Sequence, residues 1–283
     1  MRNLPFLERS VRRSRVYGGR LLRAVASQPL RHNCCFHHIP KSGGTSLSEA
    51  LHASVPFGRH IGEVPANTTR RAASIFHTDK DDEAAFYDDG ARAVEVFALR
   101  EAMLLAFMAN DCALVHGHIL FSHKADRHFG ARYKYVTMLR DPVERVVSNF
   151  RAARKAGYVT GDFGAYLESR IGQAHAMHNL RYFSGRPFVE ESETVAALDE
   201  AKAVIDRFSV IGFVDAMDEF VNRFETVFGV RLSIGRYNVG AAEPPQISPD
   251  DRRKLEALCA PDLQLHAYAK AAMASRPAAA MAG

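Results

Sequence analysis

The segment from Pro40 to Ser46 has the residue types needed to hold an anion: Pro-Lys-Ser-Gly-Gly-Thr-Ser. An apolar run over residues 34–39 predicts a buried strand before it, and helical spacing over about 45–52 follows it. Amides at a helix N-terminus bind phosphate-like anions, because unpaired N–H groups and the helix dipole point at one spot. The glycines provide the turn, and Lys41, Ser42, Thr45 and Ser46 add side-chain donors. The alternative is an ordinary glycine turn between a strand and a helix.

The position of the lysine argues against the usual nucleoside-triphosphate loop. A Walker loop places its lysine directly after the second glycine of G-x-x-x-x-G-K-[ST]. Here Lys41 precedes both Gly43 and Gly44. A different phosphate-containing ligand is therefore favoured.

A second candidate binding segment begins at the end of a predicted strand over 133–139. Arg140 follows that strand. Asp141 and Pro142, with Glu144 in a capping-box-like position, predict the start of a helix that extends to about residue 155. Ser148 lies on that helix. A guanidinium and a hydroxyl so spaced can converge on one phosphate beside the sheet. Alternatively, Arg140 pairs only with a neighbouring acid, and Ser148 is a solvated helix position.

Short apolar runs alternate with longer helical patterns, which predicts an α/β fold. We expect a single domain with a central, mostly parallel sheet flanked by helices and a P-loop-like phosphate-binding turn. Residues 55–92 are polar and predict an irregular insertion that shapes an acceptor cleft. The predicted strands are 34–39, 113–115, 133–139 and 210–214; the predicted helices are 45–52, 99–108, 142–155, 163–171, 194–207, 217–228 and 250–272, the last with a possible break at Pro261.

Charge is concentrated at the start of the 283-residue chain. The first 33 residues hold eight arginines and one acid, Glu8, out of a total formal charge of +5. This distribution argues against a globally basic nucleic-acid binder. The leader is interpreted as a disordered or helical arm, an arm contacting an anionic membrane or polyanion, or a cleaved targeting peptide. We expect an arm over 1–32, a catalytic domain over 33–273 and a flexible tail over 274–283.

Two further features bear on the compartment. No apolar run reaches 18 residues, so no membrane span is expected. The four cysteines are few and lack C-x-x-C spacing, which fits a reducing compartment and gives no support to a thiolate zinc site.

Together the two segments resemble the PAPS-dependent sulfotransferases, closest to the carbohydrate 2-O-sulfotransferase-like group, whose first motif is H-x-P-K-[ST]-G-G-T-S. PAPS is 3'-phosphoadenosine 5'-phosphosulfate. The resemblance implies that residues 41–46 hold the 5'-phosphosulfate and that Arg140 and Ser148 grip the 3'-phosphate. Weaker similarity extends through 116–118, 179–185, 212–214 and 262–268, so it covers roughly residues 34–270.

Sulfuryl transfer to a hydroxyl needs a base and stabilisation of the leaving phosphate oxygen, and Lys41 suits the second task. His116 and His118 are two residues apart and would project from the same side of an extended segment. The family uses a histidine base at an H-G-H motif, which favours His116 with His118 next. Alternatives are a structural histidine pair or, less favoured, zinc bound by a histidine-rich tract that includes His123 and His128.

Other candidates are less specific. His37 and His38 should point to opposite faces of their strand. Asn179 and Arg181 contact the acceptor or adenine, or else serve in a cap or salt bridge. Residues 237–240 are similar to the segment that closes over the nucleotide in this family.

The resemblance implies transfer of sulfate from PAPS to a carbohydrate hydroxyl, with 3',5'-ADP as product. From the residues themselves we expect no metal, no nucleic-acid partner and no membrane span. Composition suggests a bacterial, cytoplasmic enzyme with possible peripheral membrane contact through the basic arm. The alternatives are a non-catalytic nucleotide- or glycan-binding module and a nucleotide-dependent phosphotransferase.

Overall fold

A computed structural model describes residues 4–26, 29–87, 89–235 and 247–277. Its centre is a five-stranded sheet in which every pair is parallel, in the order β2-β3-β1-β4-β5. The predicted α/β class with a parallel sheet flanked by helices is confirmed. The strands are β1 (Asn33–His37), β2 (Ile61–Val64), β3 (Leu114–Gly117), β4 (Tyr133–Leu139) and β5 (Phe208–Phe213).

The α-helices of the described residues surround this sheet. They are α1 (Leu4–Val25), α2 (Gly44–Ser54), α3 (Ala66–Thr78), α4 (Ala93–Ala109), α5 (His123–Phe129), α6 (Pro142–Lys155), α7 (Phe163–Glu168), α8 (Arg170–Ala176), α9 (His178–Ser184), α10 (Thr194–Ile205), α11 (Met217–Phe228), α12 (Pro249–Leu258) and α13 (Ala260–Ser275).

Elements with strong local signals match their predictions. Strand β4 and helices α6 and α11 have the predicted bounds. The helix predicted over 163–171 is instead divided into α7 and α8, because Ser169 is extended and its hydroxyl accepts a hydrogen bond from the Gly172 amide at 3.1 Å. The expected break near Pro261 is confirmed by the division between α12 and α13.

The prediction of an irregular insertion over 55–92 is wrong. This region contains β2 and α3. Helix α3 buries Thr69, Arg70, Ala73 and Ser74, so its inner face lacks the apolar period by which helices are recognised. Strand β2 has only four residues and lies at the sheet edge.

The two faces of the sheet bury separate cores. Alternation in β1 sends Cys35 to one face, which α9, α10 and α13 cover, and Phe36 to the other, under α2 and α11. All four cysteines are buried and free.

The topology predicts where a ligand binds. From β1 the chain first builds β2 and β3 on one side, then crosses to β4 and β5 on the other. The turns after β1, β3, β4 and β5 all leave the same edge of a parallel sheet. Ligands of open α/β sheets bind at that edge, where the strand order reverses.

The basic leader contains helix α1, which packs against α2. Within the described ranges, no helix combines the length and apolar character that crossing a bilayer requires.

Candidate functional site

A cavity of about 750 Å³ opens at the carboxyl edge of the sheet. Four turns contribute to its wall: Lys41 after β1, His118 after β3, Arg140 after β4 and Val214 after β5. Ser148 reaches it from α6. The two segments selected from the sequence, about 100 residues apart, therefore line one space.

The turn between β1 and α2 depends on its glycines. Lys41 has a φ of 63° and Gly43 a φ of 74°, both in the left-handed region. Gly43 is the N-cap residue of α2. A Cβ on Gly44 would lie 1.9 Å from Nε2 of His38, so the imidazole occupies the space that any side chain would need. Any side chain at position 44 would therefore require the His38 imidazole to move.

Four of the predicted binding residues of this turn line the cavity, namely Lys41, Gly43, Gly44 and Ser46. Ser42 is buried instead, and its Oγ has no hydrogen-bond partner among the described residues. The Thr45 side chain lies outside the described part of the chain. Partial desolvation lowers the pKa of Lys41.

Arg140 lines the cavity and also pairs with Glu144. Its Nε and Nη2 donate to one Glu144 carboxylate oxygen, each at 3.1 Å. Asp141 caps α6 as expected, accepting a hydrogen bond from the Glu144 amide at 2.9 Å. The Glu144 side chain thus neutralises Arg140. Pairing of Arg140 with a neighbouring acid was the alternative that the sequence left open. The pair is 33% and 64% exposed, so an incoming anion can replace the carboxylate at little cost.

The sequence-based expectation of a 3',5'-ADP site predicts that Glu144→Gln strengthens the binding of this nucleotide by about two- to fivefold, because an exposed ion pair worth up to about 1 kcal/mol no longer competes for Arg140. Calorimetric titration measures the affinity. The matched control is Glu225→Gln, which removes the same charge from an exposed pair with Arg231 at the end of α11, outside the lining of the cavity. An affinity unchanged by Glu144→Gln, or raised equally by both variants, would show that Arg140 does not exchange partners.

The two histidines of the H-G-H segment have different surroundings. His118 lines the cavity and stacks on His38, with ring centroids 4.4 Å apart. His116 is 4% exposed, is absent from the cavity wall, and places its Nε2 2.5 Å from Nε2 of His52 on α2. We expected both histidines to project from the same side of the segment. In the structure, only His118 of this pair lines the cavity.

Burial keeps three histidines neutral: His38, which lines the cavity, and His116 and His52, which do not. It lowers the pKa of His116 to about 3 and that of His52 to about 4. The pKa of His38 is also well below its ordinary value, first by burial and then through repulsion from His118 and Lys41. His118 and Lys41 line the same cavity as this imidazole. The prediction that His37 and His38 face opposite sides is confirmed, since His37 packs in the core on Tyr135 and Phe208.

Arg100 fixes the backbone that carries His118. Its side chain is fully buried on α4 and donates to the His118 carbonyl at 3.1 Å. The same guanidinium donates to Thr69 Oγ1 at 2.9 Å and to the Ala66 carbonyl at 3.2 Å. One arginine therefore ties the turn after β3 to the start of α3.

Sequence reasoning expected residues 55–92 to shape a cleft but selected none of the residues of a further wall of the cavity, which includes Asn67, Arg70, Tyr87 and Tyr158. The two tyrosine rings stack with centroids 4.2 Å apart. The Arg70 guanidinium lies 4.8 Å from one centroid and 5.6 Å from the other. Most of this wall comes from the segment interpreted as irregular; its cluster of Asn, Arg and Tyr was the available signal.

Asn179 and Arg181 are fully buried and do not line the cavity. Arg181 contacts Asp89 at 2.5 Å, and Asn179 accepts a hydrogen bond from Arg145 at 2.8 Å. The structural role that the sequence left open is thus the one observed. Asp89 is part of the cavity wall, so this network supports the site from behind.

Two groups of three side chains place possible metal-binding atoms within 4.8 Å of one another: His52, Glu63 and His116; and Asp89, His175 and His178. Both groups contain internal hydrogen bonds, and Arg181 already neutralises Asp89. The sequence expectation of a metal-free site stays a prediction. His123 and His128 lie on α5, outside both groups.

The segment 237–240 lies outside the described residues. A second cavity of about 880 Å³ is lined by residues of α1, α2 and the segment 231–235, and its described lining shares only Ser46 with the first. No protein-family model matches the chain, and no curated protein matches it significantly.

Proposed function

We propose that this protein is a PAPS-dependent sulfotransferase that transfers a sulfuryl group to a carbohydrate hydroxyl. The observation that carries the proposal is the meeting of Lys41 and the start of α2 with Arg140 and Ser148 in one cavity. Two cationic positions supplied by two strand ends suit a ligand with two separate phosphate groups. The order of residues in the P-loop-like turn disfavours a Walker nucleotide site.

The donor set of the cavity fits PAPS. The described wall contains three basic side chains, Lys41, Arg70 and Arg140, and a single carboxylate, that of Asp89, which Arg181 neutralises. The amides that begin α2 add positive partial charge at Gly44, since the first N–H groups of a helix lack internal partners. In this proposal the turn at 41–46 holds the phosphosulfate, and Arg140 with Ser148 holds the 3'-phosphate.

PAPS supplies an activated sulfuryl group, whose bond to the phosphate oxygen breaks as the acceptor oxygen bonds to sulfur. The protein's part is to accept the acceptor proton, to stabilise the charge growing on the phosphate oxygen, and to align the groups. Lys41 meets the second need, because an ammonium on the cavity wall faces that charge. His118 meets the first, since it is the histidine of the H-G-H segment that lines the cavity.

The acceptor would occupy the wall formed by Asn67, Arg70, Tyr87 and Tyr158. An aromatic surface beside amide and guanidinium donors suits a polyhydroxylated ring, which offers C–H faces and hydroxyl groups. The metal-free chemistry, a bacterial source and a cytoplasmic location remain parts of the proposal.

The test begins with nucleotide binding, measured by calorimetry without added magnesium. We expect 3',5'-ADP to bind more tightly than 5'-AMP and more tightly than ATP with magnesium. Arg140→Ala should remove the preference for the 3'-phosphate while leaving 5'-AMP binding nearly unchanged. Transfer is then measured with sulfur-labelled PAPS and a panel of oligosaccharides.

Lys41→Ala should lower the transfer rate constant by roughly 10²- to 10³-fold, the usual effect of removing one preorganised donor to a developing anion. Lys254→Ala is the control, because its ammonium is exposed on α12. Preference for ATP with magnesium would overturn the proposal in favour of a phosphotransferase. Tight 3',5'-ADP binding without transfer to any acceptor would favour a binding module.

A further inference from the structure

Helix α1 exposes an apolar stripe, defined here as Val11, Leu21, Leu22 and Val25. These side chains are 52%, 57%, 72% and 79% exposed. At about 100° per residue, the four positions fall within an arc of about 100° on one side of the helix. Leu21, Leu22 and Val25 lie together near the end of α1, whereas Ser14 and Gly18 occupy the same arc between them and Val11. Exposed apolar side chains grouped in this way mark an interaction site.

The opposite side of α1 packs against the protein. Arg12 donates to Glu49 of α2 at 3.3 Å, and Arg20 donates to the Val55 carbonyl at 3.1 Å. A Cβ on Gly19 would lie only 2.8 Å from Cβ of Ala53. Over residues 10–25, α1 therefore turns Arg12, Val16, Gly19 and Arg20 toward the protein and leaves the residues of the stripe exposed. An ordinary surface helix turns its larger apolar side chains inward.

The surroundings of the stripe are basic. Arg13 and Arg15 are exposed on its two flanks. The first 33 residues contain eight arginines and a single acid, Glu8. Tyr17 is also exposed beside the stripe, stacked on Phe57 at 6.2 Å. At an anionic bilayer surface, apolar side chains enter the acyl boundary, while tyrosine and arginine side chains lie at the level of the headgroups. The exposed residues of α1 have this composition.

We propose that α1 docks the protein peripherally on an anionic phospholipid membrane, lying parallel to the surface with the stripe in the acyl boundary. A second copy of the chain fits this surface less well. Four side chains of one helix offer far less than the roughly 800 Å² per partner of a stable interface. A two-fold contact would also bring the flanking arginines of the two copies together. The proposal does not depend on the sulfotransferase function.

The test is co-sedimentation of the full chain with vesicles of phosphatidylcholine alone and of equal parts phosphatidylcholine and phosphatidylglycerol. We expect binding to the anionic vesicles, weakening as salt is raised. Leu22→Ser with Val25→Ser should reduce that binding about 100-fold, since full burial of each apolar side chain is worth about a factor of ten. Arg13→Gln with Arg15→Gln should reduce binding to anionic vesicles only.

The matched control is Val195→Ser on α10, because Val195 is 73% exposed but lies outside α1. It should bind vesicles like the wild type. Circular dichroism should show that every variant keeps its helical content. Absence of anionic vesicle binding, or equal binding by the stripe variant, would overturn the proposal. Sedimentation as a dimer that the stripe variant abolishes would instead assign the surface to a second copy.

Discussion

His118→Ala is expected to lower the rate constant of sulfuryl transfer by roughly 10²- to 10⁴-fold, the usual contribution of a general base. His118 lines the cavity that also contains Lys41 and Arg140. The affinity for 3',5'-ADP should change little, because the proposed nucleotide contacts are Lys41, Arg140 and Ser148. Single-turnover kinetics with labelled PAPS measure the transfer step directly.

His116→Ala is the matched comparison, two residues away on the same segment. His116 contacts His52 behind the site, so this variant should lose stability and retain most of the transfer rate constant. A larger loss of transfer for His116→Ala than for His118→Ala, with both proteins folded, would return the base to His116. Equal small effects would mean that neither histidine removes the proton.

Asp262→Asn is expected to reduce the free energy of unfolding by about 3 to 5 kcal/mol, because it leaves a buried cation without its partner. Asp262 and Arg145 are fully buried and 2.8 Å apart. The carboxylate also accepts hydrogen bonds from the amides of Asn179 and Leu180, each at 2.8 Å. Asparagine cannot replace these interactions, because its side-chain nitrogen donates hydrogen bonds and only its oxygen accepts them. Urea unfolding followed by circular dichroism measures the loss.

A double-mutant cycle separates the pair from its surroundings. Arg145→Met with Asp262→Asn should cost less than the sum of the two single changes, since no unpaired charge remains. Asp250→Asn is the control, because the Arg253–Asp250 pair is highly exposed on α12 and should contribute little. Additive costs would contradict direct coupling between the two buried charges.

How much of the fold could be predicted depended on local signals. Tyr133–Leu139 is a buried run followed by a capped helix start, so β4 and α6 were predicted with their observed bounds. Helix α3 was missed, because its inner face is made of small and polar residues that pack on Arg100 and its neighbours. Hydrophobic periodicity does not predict a helix whose buried face consists of small and polar side chains held by hydrogen bonds.

Part of the candidate site could also be predicted from the sequence. Spacing alone was enough to select Lys41, Gly43, Gly44, Arg140 and Ser148, because each lies directly at a strand end or on the following helix, where parallel strands gather their turns at one edge.

Only the tertiary structure decided which histidine of the H-G-H segment lines the cavity together with His38. Two residues of one strand end differ because His116 packs against α2, whereas His118 follows Gly117, whose φ of 153° and contact with Val64 leave no room for a Cβ. Three other features also depend on the packing of elements against one another. They are the pairing of Arg140 with Glu144, the cavity wall at Arg70 and the outward direction of the α1 stripe. The sequence by itself determined the turn, the strand ends and the charges; packing between distant segments determined which of them share a space.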